Sequence, residues 1–336
     1  MKPAKFILID TGSESNRIML SDVGRMENGI QRTKTYETGS KLLDNLIRLH
    51  FSYTVTQVVN LPGKSIWNKY CILEKLTQDR SFEYYIVIVN NAIHRLSIKY
   101  LNIFREKENV HIYSLILDPF EHLPRNVQKQ LMAVQWDRIF SFQRSDCEKY
   151  RFEFTDMIYS KVDIAKYSVP SDPESDVYFI GLAKDRLEKV YSVYKKLSIS
   201  GCRCDFTVIV GKDKLQEYKS KYPGIEFQVN RISYDDILRK IAATKCILEI
   251  CAEGQDGLTM RFYEALFYNK MLISNNQSTK LNSYYQPKYM QIWDEPDEID
   301  TERVLRENTP DYHYKGEFSP VNFMRQIVDC QNSKEM

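Results

Sequence analysis

The stretch EGQDGLTMRFYEALFYNKMLISNN (253–276) places Gly254, Gly257, Thr259, Arg261 and Glu264 around the start of one helix. CILEIC (246–251) before it reads as a buried strand, RFYEALFYNK (261–270) as a helix and MLISNN (271–276) as the next strand. Strand, helix and strand at these lengths form a crossover unit of a parallel sheet. The loop between the first strand and the helix then lies at the carboxyl edge of that sheet. Helix amino ends carry unpaired N–H donors and a partial positive charge, so they hold anions. Gly254 and Gly257 let backbone approach a ligand that a Cβ would block. Thr259 can cap the helix or bind a phosphate oxygen. Arg261 offers a planar bidentate donor to a diphosphate. Glu264, three residues on, can accept from two neighbouring hydroxyls such as those of a ribose. Diphosphate and ribose together describe a nucleotide. The competing reading is a capped helix with Arg261 and Glu264 as an i, i+3 surface pair.

The same alternation runs through the rest of the chain. KFILID (5–10), YTVTQVVNLP (53–62), YYIVIVNN (84–91), VHIYSLILDP (110–119) and the start of DRIFSFQRSDCEKY (137–150) read as strands. GSKLLDNLIRLHF (39–51), WNKYCILEKLTQ (67–78), RLSIKYLNIFREKE (95–108) and PRNVQKQLMAVQ (124–135) read as the helices between them. SVPSDPESD (168–176), with two prolines and three acids, reads as a linker. VYFIGLA (177–183) restarts the pattern, and KDRLEKVYSVYKKLSISG (184–201) is a helix ended by Gly201. CDFTVIVG (204–211) and IEFQVNRI (225–232) follow as strands, separated by the weaker helix KLQEYKSKYP (214–223). YDDILRKIAATK (234–245) reads as a helix with Ser233 as its N-cap. SPVNFMRQIVDCQ (319–331) closes the chain as a helix. The fold class is therefore α/β, two Rossmann-like domains whose parallel sheets face an interdomain cleft. Their expected limits are 1–168, 169–317 and a C-terminal helix and tail over 318–336 that packs back on the first domain. FIGLAKDR (179–186) supplies a second glycine-containing basic junction in the second domain, through Gly181, Lys184 and Arg186.

Totals narrow the function. A chain of 336 residues with 43% hydrophobic content has room for two ordinary cores. A net charge of +2 provides no field for nucleic acid, and no basic-aromatic array suggests it. No apolar run approaches the ~20 residues of a membrane span, and MKPAKFILIDTGSE does not resemble a signal peptide. The 7 cysteines form no CxxC pair and no zinc spacing, which fits idle thiols in a reducing cytoplasm. PGKS (62–65) resembles the end of a P-loop, but Val58 stands where its first glycine should be. GxGxxG, GxSxG and HExxH are all missing from the sequence.

DVYFIGLAKDRLEKV, ISYDDILRKIAATKCILEI and GQDGLTMRFYEALFYNKMLISNN together resemble the two-domain glycosyltransferases of the GT-B fold. The likeness is to bacterial enzymes of lipopolysaccharide core and capsular polysaccharide synthesis. It covers about residues 137–276, with DRIFSFQRSDCEKY as a weaker echo. The resemblance implies that the second domain holds a nucleotide-sugar donor. Glu264 would grip the ribose, while Gly257, Leu258, Thr259 and Arg261 would meet the diphosphate. Many relatives carry two acids here with seven residues between them. Asp256 and Glu264 have that spacing, although Asp256 departs from the usual Glu.

Transfer of a sugar requires neutralisation of the leaving diphosphate. No strand ends in D-x-D, so no metal and no other cofactor is expected. Arg261, Lys184, Arg186 and helix N–H groups would supply the charge. Inversion of the anomeric centre also needs a base from the first domain. Asp118 ranks first and His122 second, ahead of Asp10, Glu14 and His94. The expected partners are a nucleotide-sugar donor and a glycan or lipid-linked acceptor, with no nucleic acid. The expected location is the cytoplasm, with peripheral association at the inner face of the membrane allowed by the resemblance. Replacing Glu264 or Arg261 with Ala is expected to abolish donor binding and leave the fold intact. The alternatives are a nucleotide-sugar epimerase of related architecture and a non-catalytic scaffold.

Overall fold

The computed structural model describes residues 2–52, 61–167, 173–252, 254–306 and 309–335. The chain forms two compact units, Met1–Ser160 with Gly316–Met336 and Lys161–Lys315.

In the first unit, β1 (Ala4–Ile9), β2 (Gly29–Arg32), β3 (Glu83–Val89), β4 (Val110–Ile116), β5 (Arg138–Ser141) and β6 (Glu153–Phe154) form a parallel sheet of order β2-β1-β3-β4-β5-β6. Its helices are α1 (Glu14–Met19), α2 (Lys41–His50), α3 (Ile72–Leu76), α4 (Ile98–Phe104), α5 (Arg125–Ala133) and α6 (Arg144–Tyr150). Every residue of β3 from Tyr84 to Val89 is buried, as expected for a parallel strand covered on both faces. The edge strands β2 and β6 were not legible in the sequence, because short polar edge segments lack that apolar run. The expected helix over 67–78 divides instead into a 3-10 turn (Lys64–Tyr70) and α3. Cys71 between them is extended and bridges Tyr36, and Ile72 N–H donates to the Thr35 carbonyl at 3.0 Å. Pairing with a distant segment overrides the helical periodicity there. Most of the expected strand over 53–62 lies outside the described residues.

The second unit contains β7 (Ser175–Leu182), β8 (Cys204–Ile209), β9 (Glu226–Gln228), β10 (Thr244–Glu249), β11 (Met271–Ser274) and β12 (Met290–Ile292). They pair in parallel in the order β12-β11-β10-β7-β8-β9. The helices are α7 (Leu187–Ile199), α8 (Leu215–Lys221), α9 (Tyr234–Ala242), α10 (Met260–Phe267) and α11 (Thr301–Leu305). Gly201, just past α7, has φ +87°, the left-handed conformation that glycine adopts without strain. Ser233 caps α9 by accepting from Asp236 N–H at 3.1 Å. Ser175 and Asp176, read as linker, already belong to β7, and residues 168–172 of that linker lie outside the described residues. Asp176 is buried at the strand start, ion-paired with Arg203 at 3.2 Å and Lys245 at 2.9 Å.

The last helix, α12 (Pro320–Glu335), belongs to the first unit. Phe323 meets Phe140 edge-on with ring centroids 5.1 Å apart, and Ser319 Oγ lies 3.0 Å from Asp22 Oδ2. Among the described residues, no helix is long and apolar enough to cross a membrane.

Candidate functional site

Within the second sheet the chain starts at β7, builds outward through β8 and β9, then returns to place β10 on the other side of β7. The loops after β7 and β10 therefore leave in opposite directions. Such a switch point opens the crevice in which open α/β sheets bind ligands, at the carboxyl ends of the strands. Both junctions selected from the sequence lie there.

At the carboxyl end of β7, Gly181 makes room for Arg186. A Cβ at Gly181 would stand 2.8 Å from Arg186 Nη2 and 3.0 Å from Phe179 Cζ. Arg186 Nε donates to the Leu182 carbonyl at 3.3 Å, and Nη1 donates to the Ile250 carbonyl beyond β10. One guanidinium thus ties the two sides of the switch point. Burial pulls its pKa down; Cys251 and Asp185 oppose this, and nearby Arg261 adds to it. Among the described residues, Arg186 bonds to backbone carbonyls and to no carboxylate. Lys184 opens the 3-10 turn Lys184–Arg186, and its side chain lies outside the described structure.

The loop after β10 is held from within. Thr259 is the N-cap of α10, its Oγ1 accepting from Arg261 N–H at 3.1 Å. The same hydroxyl donates to Glu249 Oε1, while Ser274 Oγ donates to Oε2. Burial pushes the Glu249 carboxyl up, against Ser274 and Thr259. Asn276 Nδ2 donates to the Gly257 carbonyl at 3.0 Å, and Cys251 N–H donates to Asn275 Oδ1 at 2.7 Å. Gly254 adopts φ +76° with open space around its Cβ position, so backbone conformation explains that glycine. Gly257 and Leu258 are both buried. Glu253 lies outside the described residues.

Arg261 and Glu264 meet, but not as a surface pair. Glu264 has no exposed surface; Arg261 Nη1 donates to its Oε2 and Tyr234 Oη to its Oε1 at 2.9 Å. The Arg261 guanidinium also lies 6.0 Å from the Tyr178 ring centroid. Burial pushes the Glu264 carboxyl up, with Arg261 and Tyr234 pulling against it. For Arg261 burial acts downward, yet Glu264 reverses the sign and holds its pKa above the ordinary value. Both Glu264 oxygens are engaged, so a sugar hydroxyl reaches this carboxylate only if Arg261 or Tyr234 releases it. Arg186, among the described residues, hydrogen-bonds at this edge to carbonyl oxygens only.

In the first sheet, Asp118 and His122 follow β4 and are both exposed. His122 ends a 3-10 turn (Phe120–His122) whose first N–H donates to buried Asp146 Oδ2 at 2.8 Å. Ser141 Oγ donates to the same oxygen at 3.2 Å. Asp10 is fully buried, accepting from Gly12 N–H and, at 2.8 Å, from Gln31 Nε2. Arg95 lies near it and donates to the Thr33 and Thr11 carbonyls at 3.0 and 3.2 Å. These bonds make Asp10 a brace for the loop after β1. Glu14 is exposed at the start of α1, and His94 is half-buried after β3.

Three supporting residues escaped sequence reasoning: Tyr234, Glu249 and Asp146. Glu249 left a signal, an acid inside the apolar run CILEIC, whereas Tyr234 and Asp146 looked like ordinary helix-start residues. Among the described residues, no three His, Cys, Asp or Glu side chains gather as a metal site.

No protein-family model matches the chain, and no curated protein sequence matches it. Solved structures do. AviGT4, a glycosyltransferase involved in avilamycin A biosynthesis, is 10% identical with a TM-score of 0.53, covering 97% of this chain and 96% of that one. Anabaena Alr3699/HepE, solved with UDP and glucose, is 10% identical with a TM-score of 0.55, covering 98% and 99%. An α-glucosyltransferase solved with UDP and a 13-mer DNA is 12% identical with a TM-score of 0.54, covering 91% and 90%. At these identities the likeness is one of fold, the two-domain α/β fold of the GT-B glycosyltransferases.

Proposed function

We propose that the chain is a glycosyltransferase that moves a hexose from a nucleoside-diphosphate sugar to a glycan or lipid-linked acceptor, without a metal. The observation that carries this reading is Arg186, a half-buried guanidinium at the switch point of a sheet with nucleotide-binding strand order. Its cost of burial falls when an anion arrives, and a leaving diphosphate gains charge as its bond to the sugar breaks. The amino end of α10, capped by Thr259, adds its partial positive charge at the same edge of the sheet. Lys184 and the backbone of Gly257 and Leu258 complete the phosphate site. Arg261 and Glu264 join it by exchange: ribose hydroxyls and phosphate oxygens replace the contacts these two now make with each other. Asp118, with His122 four residues further along as the second candidate, serves as the base for an inverting reaction.

The resemblance of residues 137–276 to enzymes of surface polysaccharide assembly supports that pathway class and a place at the inner face of the membrane. UDP is the first nucleotide to test, since two of the structural neighbours were solved with it. Calorimetric titration of UDP and GDP should give saturable binding for one of them, and Arg186→Met should weaken it at least about tenfold. Absence of binding by every nucleoside diphosphate would leave the scaffold reading in its place. Isomerised sugar nucleotide in a reaction without acceptor would mark an epimerase.

A further inference from the structure

We infer that the outer face of α2 is a docking surface for an anionic lipid bilayer, an inference that stands on the first unit alone and not on the transferase reading. Along α2 only Ile47 is fully buried. Leu42, Leu46 and Leu49 are 70%, 46% and 57% exposed. Their spacing of i, i+4 and i+7 puts all three on one narrow stripe of the helix. A lone exposed leucine needs no explanation, but three in register form a contiguous apolar surface that water does not favour.

A fourth exposed apolar residue lies on the turn tied to the end of α2. Ile66, 60% exposed, lies on the 3-10 turn Lys64–Tyr70. That turn is tied to the end of α2, where Trp67 Nε1 donates to His50 Nδ1 at 2.9 Å and Lys64 Nζ sits 5.3 Å over the Phe51 ring.

Charge selects the occupant. Lys41, Arg48 and Lys69 are exposed beside the apolar residues. The one acid of α2, Asp44, is turned to Thr38, accepting from its N–H at 3.0 Å and its hydroxyl at 2.7 Å. What faces outward is an apolar stripe with a basic flank. That is the composition of a helix lying in the plane of a membrane interface, its leucines among the first acyl carbons and its cations on headgroup phosphates. Long basic side chains reach those phosphates while their methylenes extend the apolar surface. A protein partner would more commonly be met by an interface core depleted of lysine.

Vesicle co-sedimentation of the full chain tests this. Binding is expected to equimolar phosphatidylglycerol–phosphatidylcholine vesicles and not to phosphatidylcholine alone, and to weaken as NaCl rises from about 0.05 to about 0.5 M. The substitution L42Q/L46Q/L49Q, confined to exposed side chains, should lower the bound fraction at least about tenfold. K41E/R48E should do the same with every leucine in place, which keeps the test open if the triple variant misfolds. Failure of the parent protein to bind anionic vesicles at low salt overturns the inference. So does unchanged binding by both variants. A dimer in sedimentation velocity that the triple variant abolishes, with no vesicle binding, would instead assign the face to a second copy of the chain.

Discussion

Replacing Glu264 with Ala is the most informative single perturbation, because burial changes what the substitution measures. Glu264 is 0% exposed, Tyr234 4%, and the side chain of Arg261 17%. Removing the carboxylate strands a guanidinium charge and a phenol hydroxyl in a poorly solvated site. Breaking a buried ion pair on one side costs about 3–5 kcal/mol, a large part of the ~5–15 kcal/mol that stabilises a typical domain. Burial therefore removes the expectation that such a variant leaves the fold intact. Glu264→Gln keeps an acceptor for Tyr234 and should cost about half as much. The readout must isolate the second unit, since two units need not unfold together. Of the 3 tryptophans, Trp293 is buried in that unit, so a W67F/W136F background makes its fluorescence a specific probe. With a urea slope of about 2 kcal/mol per M, the Ala variant should unfold about 2 M earlier. R261A/E264A should lose at least about 2 kcal/mol less than the sum of its two single variants, since each alone leaves the other's charge buried. A Glu264→Ala stability within about 0.5 kcal/mol of the parent, or strict additivity in the cycle, would refute the buried-pair argument and return Glu264 to the role of an accessible ligand.

Further outcomes follow from the same geometry. Burial alone would raise the Asp176 carboxyl, but Arg203 and Lys245 hold it down at about 2. The second unit should therefore keep about 2–3 kcal/mol from this group above the ordinary aspartate range and lose it as pH falls from about 4 toward 2; Asp176→Asn should flatten that part of the melting-temperature profile. Gly181→Ala pushes a methyl group to within 2.8 Å of Arg186 Nη2, so stability should fall by about 1–3 kcal/mol and calorimetric UDP affinity should fall with it. Thr259→Val removes the cap of α10 and the partner of Glu249, costing about 1–2 kcal/mol in urea unfolding, while Thr259→Ser restores most of it. Of the seven free cysteines Cys330 alone is exposed, and a native thiol titration should show one fast-reacting group that Cys330→Ser removes.

Much of the fold was legible because its signals are local. The runs YYIVIVNN and CILEIC are apolar for several consecutive residues, which identifies strands covered on both faces, and the intervening segments return to helical spacing. Ser233 and Thr259 each bond a backbone N–H two or three residues on, so their capping roles could be read from neighbours in the chain. The same locality placed Gly181 at the end of a strand, and Arg186 and Thr259 just beyond strands, on the carboxyl edge of one sheet. Where the signal was not local, the reading failed. β2, β6 and β12 are edge strands of four residues or fewer, defined by the strand beside them. The helix expected over 67–78 yielded to a pairing with Tyr36 and Thr35.

The site divides in the same way. By itself the sequence determined which residue types stand at which strand ends, because backbone preference and side-chain period act over a few residues. Only the tertiary structure decided what those side chains do. Tyr234, 30 positions away, engages Glu264, and Ile250, 64 positions away, receives the guanidinium of Arg186. Burial and the loss of hydration depend on every segment that packs around a group, and no window of sequence contains that sum.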